Sequence, residues 1–88
     1  MFEWDEAKNK LNQEKHGIGF EDGVTLFVEG VNFALAYDAE PRRIQINQIG
    51  NEYWSAIYTM RGEKIRIISI RPTRTKEKEL YREAIKEK

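Results

Sequence analysis

The sequence predicts an α+β fold, with N-terminal helices, a four-stranded antiparallel sheet and a C-terminal helix. Three observations lead there. Helix-capping residues bracket part of the first third of the chain, alternating runs between turn residues fill the middle, and helical apolar spacing returns at the end. With 40% apolar and 34% charged residues in 88, residues 1–88 suit one compact domain, its helices packed on one face of the sheet in two layers.

Phe2-Glu3-Trp4 reads as a short strand or an anchor. Asp5 is a good N-cap and Gly17 a good left-handed stop, which predicts a helix over roughly residues 6–16. Its apolar steps are only Ala7, Leu11 and Ile18, whereas Lys8, Asn12, Lys15 and His16 recur at spacings of three and four as a mostly basic stripe. A second helix is expected over 20–29, where Phe20, Val24, Phe27 and Val28 fall on one face. Gly23 inside it costs about 1 kcal/mol relative to alanine.

Strands are expected at 32–37, ended by Asp38-Ala39-Glu40-Pro41, and at 43–49, ended by Gly50-Asn51. Two more, 53–60 and 64–71, flank Arg61-Gly62-Glu63, a loop of hairpin length, and Pro72 ends the last because it cannot donate to a ladder. Thr75 then caps a helix carrying Glu77, Leu80, Tyr81, Ala84 and Ile85.

Composition excludes several chemistries. Without cysteine there is no disulfide, thiolate nucleophile or cysteine zinc site, and a single histidine removes a histidine-cluster metal site. The acidic start Met1-Phe2-Glu3-Trp4-Asp5-Glu6 is unlike a signal peptide, and no apolar run approaches the ~18 residues of a membrane span. A soluble cytoplasmic protein, with no membrane, metal or cofactor, is the expectation. So short a chain has little stability to spare, so an oligomer or a complex is expected as well.

Net charge is zero but unevenly placed. Residues 1–40 carry nine acids against three lysines, whereas in 61–76 six cations (Arg61, Lys64, Arg66, Arg71, Arg74 and Lys76) face only Glu63. Within that stretch Ile65-Arg66-Ile67-Ile68-Ser69-Ile70-Arg71 sets two guanidinium groups in an apolar strand. Such a strand is either a rigid anion site for a nucleic-acid backbone or a place where snorkelling arginines pair with acids on a neighbouring element. Strict alternation separates the two, with Arg66 on the face of Ile68 and Ile70 and Arg71 on that of Ile65, Ile67 and Ser69. A bulge or the strand end at Pro72 would be needed to bring them together.

The opening residues Phe2-Glu3-Trp4-Asp5, Lys8, Asn12, Lys15-His16-Gly17 and Phe20-Glu21 resemble the first signature of the BrnT toxins. Tyr58-Thr59, Arg61-Gly62, Ile65-Arg66-Ile67-Ile68-Ser69, Arg71, Glu77 and Tyr81 resemble the closing one, in the same order. The chain departs from the pattern at Gly19, where the family usually has serine, and at Pro72-Thr73-Arg74-Thr75. The resemblance implies a RelE- and ParE-like fold and an endoribonuclease toxin of a type II toxin–antitoxin system. It also implies a BrnA-like antitoxin with a ribbon-helix-helix DNA-binding part, and a homo-oligomer or a toxin–antitoxin heterotetramer as the assembly.

RNA cleavage without a metal needs a base for the 2′-hydroxyl, cations for the charge growing on phosphate and an acid for the leaving 5′-oxygen. The resemblance makes Arg66 and Arg71, with Lys8 or Lys15, the phosphate cations and His16 or Glu77 the proton-transfer group, while the charge balance of 61–76 adds Arg61, Lys64, Arg74 and Lys76 as RNA-binding residues. Tyr81, one turn after Glu77, would orient it or an arginine. The residues themselves leave simpler roles open: His16 as a helix C-cap, Tyr81 as a core tyrosine, and Trp4, Trp54 and Tyr58 as packing. Three readings stand: an RNA-cleaving toxin, a noncatalytic RNA-binding module, and a protein-binding domain whose basic patch docks an acidic helix. In the first, the antitoxin should cover residues 61–76 or an exposed sheet edge.

Overall fold

The computed structural model describes residues 1–35 and 41–86. Strand β1 (Phe2–Glu3) leads into helix α1 (Glu6–His16), then α2 (Phe20–Gly23) and a 3₁₀ turn over Val24–Phe27. Four longer strands follow, β2 (Val31–Leu35), β3 (Arg42–Ile49), β4 (Glu52–Arg61) and β5 (Lys64–Pro72), and then helix α3 (Thr75–Lys86). The expected end of the first long strand, at 36–40, lies outside the described residues.

Local chemistry accounts for most of these boundaries. The Asp5 carboxylate accepts from the backbone N–H groups of Ala7 and Lys8, and Gly17, at φ 73°, closes α1 through its own N–H to the Gln13 carbonyl. Gly62, at φ 62°, takes the first loop position between the paired residues Arg61 and Lys64, where a two-residue hairpin needs a positive φ. At α3 the expected cap is corrected. Thr75 is already helical, and the Glu77 carboxylate reaches back to the N–H of Arg74, the carboxylate half of a capping box.

The second helix also differs from expectation. After four residues it tightens into the 3₁₀ turn, where the segment approaches the sheet closely. A Cβ on Gly23 would stand 1.8 Å from Ile70 Cδ1. The tightened turn buries Leu26 completely, and the side-chain amides of Gln45 and Asn47 donate to the Leu26 and Glu29 carbonyls.

The sheet has five strands in the order β1-β5-β4-β3-β2 and is mixed. The four long strands form the expected antiparallel meander, but β1 adds a parallel edge to β5, with Phe2 opposite Ile65 and Glu3 opposite Arg66. A two-residue pairing is too short to leave a periodic signal in sequence. The expected two-layer packing is corrected as well, because adjacent residues of β4 enter different cores. Ala56 packs with Ile18, Phe20, Leu26, Ile67 and Ile70 beneath α2 and the 3₁₀ turn, whereas Ile57 packs with Val31, Ile44, Ile46 and Tyr81 beneath α3. Successive strand residues point to opposite faces, so α3 lies across the sheet from α2.

Helix α1 is held by amide groups rather than by an apolar face. Its buried residues are Asn9 and Asn12, while Ala7 and Leu11 are exposed. The Phe20 N–H donates to Asn9 Oδ1 at 2.8 Å; the Ile70 N–H donates to Asn12 Oδ1 at 3.1 Å, and Asn12 Nδ2 donates to the Ile18 carbonyl at 2.9 Å. Replacing Asn12 strands two buried backbone groups at about 1–3 kcal/mol each. Asn12→Ala should therefore lose about 2–4 kcal/mol in urea unfolding; a loss below about 0.5 kcal/mol would show that α1 is held by other contacts.

Candidate active site

The irregularity in β5 sets the geometry of the basic strand. Against β4, Ile67 pairs with Tyr58 and Ser69 with Ile57, so Ile68 is an extra residue and the alternation of β5 shifts there. Arg66 lies opposite Thr59 and Arg71 opposite Ser55, and Thr59, Ile57 and Ser55 share one face of the regular strand β4. Arg66, Ser69 and Arg71 therefore stand on the same side of the sheet, the α3 side. Ile65, Ile67 and Ile70 fill the other side.

Both arginines are engaged by carboxylates. Arg71 makes a two-pronged contact with Glu77 on α3, Nη1 to Oε1 and Nη2 to Oε2, each at 2.8 Å. The pair is largely sequestered, with side-chain exposures of 18% and 15%. Glu77 Oε1 also accepts from the Arg74 N–H at 2.9 Å and lies 3.5 Å from the Ser55 hydroxyl, which itself bonds Thr73. Burial by itself would raise the Glu77 carboxyl. Hydrogen bonds from Arg71 and the Arg74 backbone, with the charges of both arginines, outweigh it and hold the group below its ordinary range. Glu77 is thus an anion at neutral pH that fixes Arg71 and ties the strand end to α3.

Arg66 donates from Nη1 to Glu3 Oε2 at 2.9 Å, and Lys64 Nζ stands 3.9 Å from Glu3 Oε1. The contact pairs the guanidinium with an acid on the neighbouring strand, yet Arg66 keeps 30% of its side chain exposed. Tyr81 is buried and packs edge-on against Tyr53, with ring centroids 5.2 Å apart. Burial, with Tyr53 and Glu29 nearby, pushes its hydroxyl up, so it remains protonated at neutral pH. The core placement of Tyr81 is the plainer of the two sequence expectations. Tyr58 also packs in the interior, edge-on to Phe27, and the half-buried Trp4 packs edge-on to Phe20.

The remaining cations do not converge on one point. Arg61 and Lys64 flank the hairpin at one end of β5, while Arg74 and Lys76 lie past its other end, about 25 Å away along the strand. Lys8, Lys15 and His16 lie on α1 and line, with Ile68 and Ser69, an open groove of about 180 Å³. Sequence reasoning passed over Arg42. It shares the face of Ile44, two residues on, and hence that of Arg66, and the alternation Arg42, Ile44, Ile46 was the available signal.

A carboxyl held below its unfolded value stabilises the fold above that value, and the contribution is lost as pH falls through the folded one. The pair of Glu77 should thus contribute fully above about pH 5 and weaken progressively in acid. Urea midpoints measured from pH 7 to pH 3 should fall less steeply for Glu77→Gln than for the parent chain, with the variant less stable at pH 7 by about 1.5–3 kcal/mol. Parallel pH curves would remove Glu77 from the acid response.

A family profile described as "Ribonuclease toxin, BrnT, of type II toxin-antitoxin system" matches residues 4–77. No curated protein matches the chain by sequence. Among solved structures, the chain is similar to the crystal structure of the Brucella abortus ribonuclease toxin, BrnT, at 28% identity and a TM-score of 0.66. That alignment covers 85% of this chain and 99% of the Brucella chain. The profile spans both the α1 groove and the Arg66–Arg71 strand, and the chain belongs to the BrnT family of ribonuclease toxins of type II toxin–antitoxin systems.

Proposed function

We propose that this toxin arrests growth by cleaving cellular RNA in the cytoplasm without a divalent metal, on the α3-side face of β5. The observation that carries the reading is the shared face of Arg66 and Arg71, two permanent cations held on a rigid strand. In the proposed reaction the 2′-hydroxyl loses its proton and attacks phosphorus. The bond to the 5′-oxygen breaks, and that oxygen takes up a proton. Charge grows on the non-bridging oxygens, and the arginines lie where they stabilise it. Family membership supports RNA as the substrate class.

Roles among the sequence candidates divide by environment. Arg66 and Arg71 contact phosphate, and Glu77 positions Arg71, since both of its oxygens are engaged and its low proton affinity suits neither a base nor an acid near neutrality. Proton transfer then falls to His16, beside Ser69 at the strand edge. Tyr81 supports α3 and hence Glu77. Arg61, Lys64, Arg74 and Lys76 extend the phosphate track along β5, and Lys8 and Lys15 flank His16. Metal independence rests on the cation supply of the strand and on a sequence with no cysteine and one histidine. A BrnA-like antitoxin with a ribbon-helix-helix part would silence the site by covering residues 61–76, as a heterotetramer or a simpler complex.

Expression of the chain alone should arrest bacterial growth. Purified protein should cleave RNA in excess chelator, and activity lost to chelator and restored by magnesium would refute metal independence. Arg71→Ala and Arg66→Ala, each checked for folding by circular dichroism, should reduce cleavage by about 30- to 1000-fold, the equivalent of about 2–4 kcal/mol. Full activity in both folded variants would move the phosphate site off β5.

A further inference from the structure

The cations on the sheet face and those on α1 differ in whether their charge is already answered. Arg66 and Arg71 have carboxylate partners, whereas among the described residues the side chains of Lys8, Lys15 and His16 have no ion-pair or hydrogen-bond partner, and neither does the Ser69 hydroxyl. The groove they line contains no carboxylate. Leu11 stands on the same wall between the two lysines and is 63% exposed. On a helix anchored through Asn9 and Asn12, its apolar surface serves neither core.

Helix electrostatics explains only part of this. Lys15 and His16 in the last turn complement the negative end of the α1 dipole, but Lys8 sits in the first turn, where a cation is disfavoured. We propose that the Lys8–Leu11–Lys15 wall of the groove between α1 and the β5 bulge, beside His16, is a subsite for a nucleotide of single-stranded RNA that flanks the cleaved one. Lys8 and Lys15 contact its phosphates, and its base packs on Leu11. The lysines are about 10 Å apart along the helix, long enough to lie beside more than one phosphate of a strand. The bulge supplies continuity, since Ser69 lies on the face of Arg66 and Arg71 and also lines the groove. A strand cleaved on the sheet face thereby has a path round the edge of β5 onto α1.

The inference rests on RNA as the ligand, so binding and cleavage are read separately. Binding uses the parent chain and a fluorescent, uncleavable 2′-O-methyl oligonucleotide across a salt series. Lys8→Ala/Lys15→Ala should weaken affinity about tenfold at low salt and reduce the slope of log affinity against log salt by about 1.4, two phosphate contacts' worth. Leu11→Ser should weaken it about fivefold and leave the slope unchanged. All three positions are solvent-exposed, and an unchanged urea midpoint confirms folding. In cleavage, Leu11→Ser should lose kcat/KM on a ten-nucleotide RNA while keeping the parent rate on a dinucleotide.

Unchanged affinity and slope in both variants would overturn the subsite, as would an equal loss on both substrate lengths, which would put Leu11 against the cleaved nucleotide itself. Loss of antitoxin binding with RNA affinity intact would overturn it in favour of a protein-docking surface. A parent chain that binds the analogue through these residues but cleaves nothing would refute the proposed activity and leave the RNA subsite standing.

Discussion

One extra residue in β5 decides which side of the sheet Arg66 and Arg71 face. By inserting Ile68 against β4, the strand changes which side its residues face without losing its pairing with β4 beyond the bulge. Ile67 and Ile70, three apart, both enter the core beneath α2, and Arg66 and Arg71, five apart, both reach the α3 side. A regular strand would have put one arginine of the two into the hydrophobic core beneath α2. The same register brings Arg71 to Glu77 and thereby ties the end of the sheet to the start of α3.

The second constraint is the pair of asparagines in α1. A helix with so little apolar surface gains little from the hydrophobic effect, so its attachment depends on satisfying buried backbone groups of other segments. Asn12 bonds both the edge of β5 at Ile70 and the loop at Ile18, and Asn9 holds the start of α2. The helix is therefore placed beside the bulge by polar contacts, and its lysines and leucine remain available at the surface.

Electrostatics across the site is a matter of pairing more than of total charge. Glu77 lowers the net charge that Arg71 presents, but it also fixes the guanidinium in one orientation, which the proposed stabilisation of a developing anion requires. Glu3 plays a looser part for Arg66 and Lys64, since its contacts are more exposed than those of Glu77 and are worth at most about 1 kcal/mol. Two acids from distant parts of the chain, one on the first strand and one on the last helix, thus hold the two strand arginines.

The sequence alone determined the elements whose causes are local. Asp5 and Gly17 bracket α1, Gly62 marks the hairpin, Pro72 ends β5, and the paired signatures carry the family in the sequence itself. Arg66 and Arg71 were legible as candidates because arginines inside an apolar strand are conspicuous. Their common face was not, since a bulge is specified by the register between two strands, and no pattern within β5 alone encodes it. Asn12 looked like part of a basic stripe and is buried, Leu11 looked like core and is exposed, and Leu80 and Ile85 stay half exposed on α3. Helical spacing says which residues share a side but not which side meets the sheet. Tertiary structure decided that, along with the fifth strand and the placement of α3 on the opposite face, because each depends on contacts between segments far apart in the chain, whose energies no local window contains.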